Sequence, residues 1–340
     1  EVTAAGAAAV LVHALPGEME AFSGGIIRVK DTLRALQDLA SHHRKSSPEL
    51  FVVGVTGSNG KTSTKDFLRA VLAEGGPVNA TVGNLNNHIG LPLTILAGGD
   101  GDKFAVWEMG MNHPGEIGVL AGIARPDAAV ITNIGSAHIE HMGTCEAIAW
   151  EKAALPAALP ASGYCVMPRS DEYFDFVKGA VSCEMVPVGI GTGAVRAEVL
   201  TADRDGRMRF DLSSDYGETV PVVLPVRGDH MVMNALLAAA VGLRQGLAPA
   251  EVAQALAGVN LTEGRLQERR VGGIAFLDDS YNANPDSMLA ALRTLQSAEV
   301  SGRRVAVLGF MGELGEHEVC EHHRLGERVV GHGIDALITV

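Results

Sequence analysis

The chain has 340 residues, and its 27 basic and 40 acidic side chains give a formal net charge of −13. This charge argues against nucleic acid or an anionic membrane surface as a partner. No apolar stretch reaches transmembrane length, no signal segment is recognised, and the four cysteines show neither a CxxC pair nor zinc spacing. We therefore expect a cytoplasmic enzyme of two or three domains with reduced thiols.

The first 47 residues predict the end of a preceding domain. Ala4–Leu15 is apolar and small, which favours a helix running into a strand, and Ile26–Val29 reads as a second strand. Asp31 or Thr32 can cap a helix that carries leucines at helical spacing, before a polar linker at Lys45–Pro48. Because the chain has no initiator methionine and opens in an alanine-rich stretch, we expect it to begin partway through that domain.

Residues 48–300 predict a central α/β domain. Strand-like and helix-like segments alternate here, which is typical of a parallel sheet covered on both faces. Between Val186 and Val226, after a turn at Asp205-Gly206, apolar residues alternate with polar ones and predict an antiparallel insertion or edge. The predicted strands are Val52–Val55, Phe104–Trp107, Ala128–Thr132, Tyr164–Met167 and Ile274–Leu277.

Residues 301–340 predict the start of a Rossmann-like third domain. A strand at Arg304–Leu308, a helix ending near Val330 and a strand at Ala336–Val340 form one βαβ unit. One such unit cannot bury its own sheet, so we expect the domain to continue beyond Val340.

A glycine-rich turn between the first central strand and its helix predicts a phosphate site. Gly57 and Gly60 let backbone N–H groups approach phosphate oxygens, Lys61 can reach the terminal phosphates, and the Thr62 hydroxyl suits Mg²⁺. Val55 replaces the first glycine of the strict Walker pattern, which leaves the shorter T-G-x-x-G-K-T form. The predicted phosphate-binding residues are Thr56, Gly57, Ser58, Asn59, Gly60, Lys61, Thr62 and Ser63.

Two further strand ends carry candidate catalytic side chains. Glu108 lies at the carboxyl end of a strand, where a carboxylate suits Mg²⁺, although a solvated charge is the ordinary alternative. His138 follows the next strand, and Lys152 lies fourteen residues on, in a helix that Thr144 can cap. Taken alone, these two would be a loop histidine and a helix-surface lysine.

Polar residues in two other regions are candidate ligand contacts. The asparagine-rich segment Gly83–Leu93 either forms turns or donates hydrogen bonds to a substrate opposite the phosphate site. The segment Asp278–Pro285 follows a strand and opens a helix, with Asn284 as its cap and Pro285 in its first turn.

In order and spacing, these segments resemble the Mur ligase family. The resemblance spans about Ile26 to Val340, and GNLNNHIG and DDSYNANP are its most specific parts. It implies an ATP- and Mg²⁺-dependent amide ligase that adds D-alanyl-D-alanine to UDP-N-acetylmuramoyl-tripeptide in peptidoglycan precursor synthesis. It also implies a uridine-nucleotide-binding first domain, a central ATPase and a Rossmann-like third domain. The segments are TGSNGKTST, GNLNNHIGLPLT, EMGMNHPGEI, NIGSAHIEHMGT, GRLQ and DDSYNANPDSM.

The resemblance implies roles for individual residues. Lys61 and Thr62 would hold the ATP phosphates and a first Mg²⁺, supported by Glu108 and His138. Lys152 matches a position that becomes a carbamate with CO₂ and binds a second Mg²⁺. The remaining implied contacts are Asn234 and Arg265 to the nucleotide, Asp279 and Asn282 to the ribose or neighbouring groups, and Asn86 and Asn87 near the peptide.

At three positions the chain departs from the family pattern. Asp229 stands where a basic residue is expected, Met231 replaces an asparagine, and Phe310 replaces an aspartate. These changes bear on the adenine contacts and the third-domain hinge, and they leave the phosphate and metal set intact.

Three other functions remain open at the level of sequence. The chain could be another amide ligase, such as a folylpolyglutamate synthase or the ligase that adds the third amino acid, although GNLNNHIG and DDSYNANP argue against both. It could be a P-loop regulatory module, against which the pairing of His138 with Lys152 argues. It could also be a non-catalytic remnant.

Overall fold

The computed structural model describes residues 5–15, 22–204, 206–300 and 302–340. Within these ranges the strands are β1 (Ala9–Val12), β2 (Gly25–Arg28), β3 (Phe51–Thr56), β4 (Val78–Ala80), β5 (Phe104–Glu108), β6 (Ala128–Ile131), β7 (Tyr164–Pro168), β8 (Glu184–Ile190), β9 (Val195–Ala202), β10 (Met208–Ser214), β11 (Gly217–Val223), β12 (Gln267–Val271), β13 (Ile274–Asp278), β14 (Val305–Leu308) and β15 (Ala336–Thr339).

The helices connect these strands along the chain. They are α1 (Thr32–Lys45), α2 (Lys61–Ala73), α3 (Gly90–Leu96), α4 (Glu116–Ala124), α5 (Ile139–Met142), α6 (Cys145–Ala157), α7 (Phe174–Ala180), α8 (Asp229–Arg244), α9 (Pro249–Ala257), α10 (Pro285–Ser297) and α11 (Glu318–Gly331), with a short 3-10 helix at Gly315–His317. Among the described residues, no helix is long and apolar enough to cross a membrane.

A nine-stranded sheet forms the centre of the molecule. Its order is β11-β10-β9-β8-β7-β6-β3-β5-β4. The strands from β4 to β9 pair in parallel, and β9, β10 and β11 pair antiparallel. The predicted α/β fold, with a mostly parallel sheet and an antiparallel edge, is confirmed. Asp205, in the predicted turn, lies outside the described residues.

The two faces of the central sheet carry separate apolar cores. Successive residues of a strand point to opposite faces, so Val53 and Val55 pack beneath α2 and α8 while Val52 packs in the other cluster. Phe67 and Leu236 are fully buried in the first core, and Trp107 is 1% exposed in the second. Helices on both faces explain why the central strands read as continuous apolar runs.

The strand predicted at Ile274–Leu277 exists but does not join the central sheet, so that part of the prediction was wrong. As β13 it pairs antiparallel with β12, and Val271 lies opposite Ile274. Gly272 and Gly273 form the connection with φ values of 57° and 79°. A two-residue turn with both φ values positive favours a tight hairpin, which explains why β13 pairs with its immediate neighbour.

The predictions for the first 47 residues are partly confirmed. The two strands form as β1 and β2, which pair in parallel, but residues 5–15 contain no helix and Ala4 lies outside the described residues. Asp31 caps α1 as expected, accepting hydrogen bonds from the backbone N–H groups of Leu33 at 2.8 Å and Arg34 at 3.0 Å. Helix α1 extends to Lys45, so the polar linker is shorter than predicted.

The last part of the chain forms the predicted βαβ unit. Strands β14 and β15 pair in parallel and α11 connects them, although Ser301 lies outside the described residues. Met288 and Leu292 of α10 join Met311 and Leu325 in one apolar cluster. We call the segment from α10 to β15 the C-terminal unit, and the domain boundaries at residues 47 and 300 stay predictions.

Candidate active site

The phosphate loop connects β3 to α2 and requires glycine at two positions. Gly57 has a φ of 149° and Gly60 a φ of 78°. A Cβ atom on Gly57 would lie 1.8 Å from the Thr132 hydroxyl oxygen, and one on Gly60 would lie 2.8 Å from Asn234 Oδ1. No side chain caps α2 at Gly60, so the first-turn N–H groups remain available to an anion.

The segment after β6 supports this loop through hydrogen bonds. The Asn59 backbone N–H donates to Asn133 Oδ1 at 2.9 Å. The Gly135 backbone N–H donates to Ser58 Oγ at 2.9 Å, and Ser58 Oγ donates to the Gly135 carbonyl at 3.1 Å. The ends of two adjacent parallel strands therefore hold the loop in one conformation.

Lys61 supplies a positive charge beside the loop. Its Nζ donates to the Gly57 carbonyl at 2.7 Å. Burial lowers the pKa of Lys61 to about 8, with Glu108 opposing and Arg265 adding to the shift. The ammonium thus lies where anionic phosphates would stabilise its charged form.

Glu108 is buried at the end of β5 rather than solvated, with 1% of its surface exposed. Thr62 Oγ1 donates to Glu108 Oε2 at 3.3 Å. Glu108 Oε1 has no hydrogen-bond partner within the part of the chain that the structure describes. Burial raises the pKa of Glu108, and the charges of Lys65, Lys61 and Arg265 oppose this. A buried, unpartnered carboxylate oxygen beside a hydroxyl is a donor set suited to Mg²⁺.

His138 lies at the start of α5 with a left-handed backbone, at a φ of 66°. Its Nδ1 makes a hydrogen bond with the carboxylate of Glu313. Burial lowers the pKa of His138, while the Glu313 carboxylate raises it. The sequence pattern identified His138 but contained no sign of Glu313, which is 175 positions away.

Lys152 is not a helix-surface lysine, because only 1% of its surface is exposed. Burial lowers its pKa well below the ordinary value, and the charge of Lys61 lowers it further. In the described part of the chain, no hydrogen bond or ion pair to Lys152 Nζ is formed. The adjacent Glu151 is engaged elsewhere, accepting from the Gly115 and Ile117 backbone N–H groups at 2.7 Å each.

Arg265 connects the phosphate loop to the segment after β13. Its Nη2 donates to Thr62 Oγ1 at 3.4 Å, and its guanidinium lies 4.2 Å from the centre of the Tyr281 ring. Asp279 Oδ1 accepts from the Leu266 backbone N–H at 3.2 Å. Burial raises the pKa of Asp279 to about 6.

One cleft of about 390 Å³ brings most of the predicted site residues together. Thr56, Gly57 and Lys152 do not line it. The Thr56 hydroxyl instead donates to the Met109 carbonyl at 2.9 Å, inside the protein. The fourteen that line it are Ser58, Asn59, Gly60, Lys61, Thr62, Ser63, Asn86, Asn87, Glu108, His138, Asn234, Arg265, Asp279 and Asn282.

Several cleft residues were not predicted as site residues. Tyr281 and Asn284 belong to the DDSYNANP segment, whose density of polar groups was a usable signal. Asp286 follows in the first turn of α10, and the Ser136 backbone N–H donates to its Oδ2 at 3.3 Å. His88 and Asn112 also line the cleft, and they lie within the segments GNLNNHIGLPLT and EMGMNHPGEI.

Fold and site together define a nucleotide-binding α/β protein with a phosphate loop. The family model for the Mur ligase middle domain matches residues 55–242, and the model for the Mur ligase, glutamate ligase domain matches residues 264–340. The chain therefore belongs to the Mur ligase family.

Individual relatives agree with this family assignment. UDP-N-acetylmuramoyl-tripeptide–D-alanyl-D-alanine ligase from Bacillus subtilis is 39% identical over 338 residues, covering 98% of this chain and 72% of that protein. The chain spans 58 to 72% of the length of these curated relatives, which all carry the same ligase name.

Solved structures give the same result. MurF from Acinetobacter baumannii is 32% identical with a TM-score of 0.91, covering 97% of this chain and 71% of that one. The MurF ligase from Thermotoga maritima, in complex with ADP, is 29% identical with a TM-score of 0.86, covering 98% of this chain and 75% of that one.

Proposed function

We propose that the chain supplies the ATP-binding centre of a ligase that joins D-alanyl-D-alanine to UDP-N-acetylmuramoyl-tripeptide in cytoplasmic peptidoglycan precursor synthesis. The observation that carries the proposal is the phosphate loop facing Glu108, whose buried Oε1 has no partner in the described residues. The curated relatives carry the name of that ligase, and a regulatory nucleotide switch gives no reason to bury Lys152 beside such a site.

The cleft is built to hold the phosphates of ATP. The loop N–H groups and the N-terminus of α2 would bind phosphate oxygens, with the positive charge of Lys61 beside them. Arg265 reaches the first turn of α2 at Thr62 and adds a second positive charge. Asn234, Asp279 and Asn282 line the same cleft and would contact the nucleotide.

Thr62 and Glu108 would hold a magnesium ion, and His138, which lines the same cleft, would support it. The hydroxyl of Thr62 touches one oxygen of Glu108, and the other oxygen lacks a partner within the described residues. When bound at such a site, Mg²⁺ supplies charge that neutralises the phosphate oxygens.

The proposed reaction needs no protein nucleophile. The terminal carboxylate of the tripeptide attacks the γ-phosphorus of ATP, which gives an acyl phosphate and releases ADP. The amine of the dipeptide then attacks the acyl carbon, phosphate leaves, and the amine loses a proton as the amide forms. Both steps bring charged reactants together, so the work of the protein is positioning and charge neutralisation. Asn86 and Asn87, across the cleft, would contact the peptide.

We also propose that Lys152 carries a carbamate. Only a neutral amine captures CO₂, and the burial that lowers the pKa of Lys152 favours the neutral form. The amine nitrogen bonds to the carbon of CO₂ and releases one proton to water, which leaves an anionic carbamate. This anion reverses the charge of the side chain and would suit a second magnesium ion near the phosphates.

The substrate assignment is tested by phosphate release with defined acceptors. The full-length protein should release phosphate with UDP-N-acetylmuramoyl-tripeptide and D-alanyl-D-alanine, in preference to any single amino acid. Preference for glutamate, or for a diamino acid added to a UDP-muramoyl dipeptide, would agree with the family assignment but would contradict the substrate assignment.

A further inference from the structure

The C-terminal unit touches the short helix α5 beside His138. The carboxylate of Glu313 is hydrogen-bonded to His138 Nδ1. Next to this contact, the Glu140 backbone N–H donates to the Glu313 carbonyl at 3.2 Å. Ile139 packs against the apolar cluster of the C-terminal unit. The contact is therefore a small interface with a polar and an apolar part.

The backbone on both sides of this interface is held in an uncommon conformation. His138 has a φ of 66° and Glu313 a φ of 60°, and neither residue is glycine. Such residues cost free energy that their surroundings must offset. Gly315 also lies close to helix α5, since a Cβ atom there would lie 3.1 Å from Glu140 Cγ. The side-chain and backbone contacts between the two segments supply that offset.

The Glu313 contact determines which nitrogen of the His138 ring carries the proton. An ionised carboxylate only accepts hydrogen bonds, so Nδ1 must be the donor. In the neutral ring, Nε2 then keeps its lone pair, and His138 lines the cleft. Carboxylates that bond the outer nitrogen of a functional histidine fix both its tautomer and its ring orientation.

We propose that Glu313 is a positioning residue for His138. Docking of the C-terminal unit then fixes the tautomer and ring orientation of this histidine, which lines the same cleft as the phosphate loop. The inference rests on the proposed function, because it gives His138 a role in phosphate and metal chemistry. Glu313 is 42% exposed and 175 positions from His138, so the contact depends on the two units being docked and not on local folding. The tautomer and orientation of the His138 ring therefore depend, through this hydrogen bond, on whether the C-terminal unit is docked.

The first test measures the ring directly, without substrate. Histidine-selective ¹⁵N labelling of the full chain should show His138, assigned through the His138→Gln spectrum, with Nδ1 protonated and Nε2 unprotonated. Glu313→Ala should shift both ring nitrogens toward the mixture of tautomers of a free imidazole. Glu316→Ala, at an exposed position in the same segment, should leave the His138 signals unchanged. Unchanged His138 signals in Glu313→Ala would overturn the inference.

The second test measures turnover. Glu313→Ala should lower kcat about 10- to 100-fold, the usual cost of losing such a partner, with a smaller effect on KM for ATP. Glu313→Gln keeps an accepting oxygen and the side-chain volume, so it should retain the Nδ1-protonated ring and most of the activity. Full activity in Glu313→Ala would overturn the positioning role. A wild-type protein that ligates no dipeptide would instead refute the proposed function, while the ring spectra would still decide the role of Glu313.

Discussion

Lys152 and Glu108 are the two ionisable side chains whose burial most needs an explanation. Each is 1% exposed. Glu108 Oε1 is buried without a hydrogen-bond partner in the described part of the chain, and burial lowers the pKa of Lys152 well below its ordinary value. Burying such groups is costly unless something compensates them. A cation beside Glu108 and a carbamate on Lys152 would compensate both, so the cost of burial at these residues supports the proposed chemistry.

Replacing Lys152 should remove activity that a small anion can partly restore. Lys152→Ala is expected to lose most phosphate release, because the carbamate cannot form. Added formate or acetate should recover part of it by placing a carboxylate in the vacated space. The measurement is a coupled phosphate-release assay with increasing carboxylic acid.

The matched control is Lys178→Ala, at an exposed position of α7, which should keep wild-type turnover with no response to added acid. Wild-type turnover in a folded Lys152→Ala protein would contradict the carbamate.

At the scale of the elements, two helix caps differ in their contacts: one stabilises only its helix, and the other also contacts the phosphate loop. Asp31 caps α1 at a distance from the cleft, and Asn284 caps α10, accepting from the Ser287 backbone N–H at 3.0 Å. Asn284 has a second contact, since its Nδ2 donates to Asn59 Oδ1 at 2.6 Å. One cap therefore only stabilises a helix, whereas the other also ties the C-terminal unit to the phosphate loop.

Asp31→Ala and Asn284→Ala should each lower the free energy of unfolding by about 1 kcal/mol, the usual loss for a helix cap. Only Asn284→Ala should also raise KM for ATP, because it releases Asn59 in the phosphate loop. Urea denaturation and steady-state kinetics measure the two effects. An equal change in KM for both variants would show that the contact with Asn59 does not matter for binding.

At the scale of the whole molecule, the cleft is formed by residues from the central part of the chain together with residues from later segments. The loops after β3, β5 and β6 meet at one edge of the central sheet, as the carboxyl ends of parallel strands must. Arg265, Asn282 and Asn284 reach the same edge from later segments. A ligand in this cleft contacts both parts, so its binding should stabilise the molecule as a unit.

ADP with Mg²⁺ should raise the free energy of unfolding by about 2.7 kcal/mol at a ligand concentration of 100 Kd. Chelation of Mg²⁺ should remove the metal-dependent part of this gain. Glu108→Gln should lose the same part even with Mg²⁺ present, because a neutral amide is a weaker magnesium ligand. Thermal denaturation with and without a chelator measures both.

Glu74→Gln, at an exposed position after α2, serves as the control and should respond to Mg²⁺ as the wild type does. An undiminished magnesium response in Glu108→Gln would place the cation elsewhere.

Features that depend on neighbouring residues were predictable from the sequence. The phosphate loop, the caps at Asp31, Thr144 and Asn284, and the final βαβ unit formed where the pattern placed them. Glycine spacing, capping side chains and apolar periodicity act over a few residues, so short stretches of chain determine them. The resemblance to Mur ligases added the grouping of distant motifs, and fourteen of the seventeen predicted site residues line one cleft.

Other features were decided only by the tertiary structure. The Gly272-Gly273 turn pairs β13 with β12 and not with the central sheet. Packing around α6 buries Lys152. Glu313 reaches His138 across 175 positions. Each depends on which surfaces meet when distant segments pack, and no local pattern encodes that meeting. The sequence by itself therefore determined the chemistry available to this protein, while tertiary packing decided which groups are desolvated, paired and held in place.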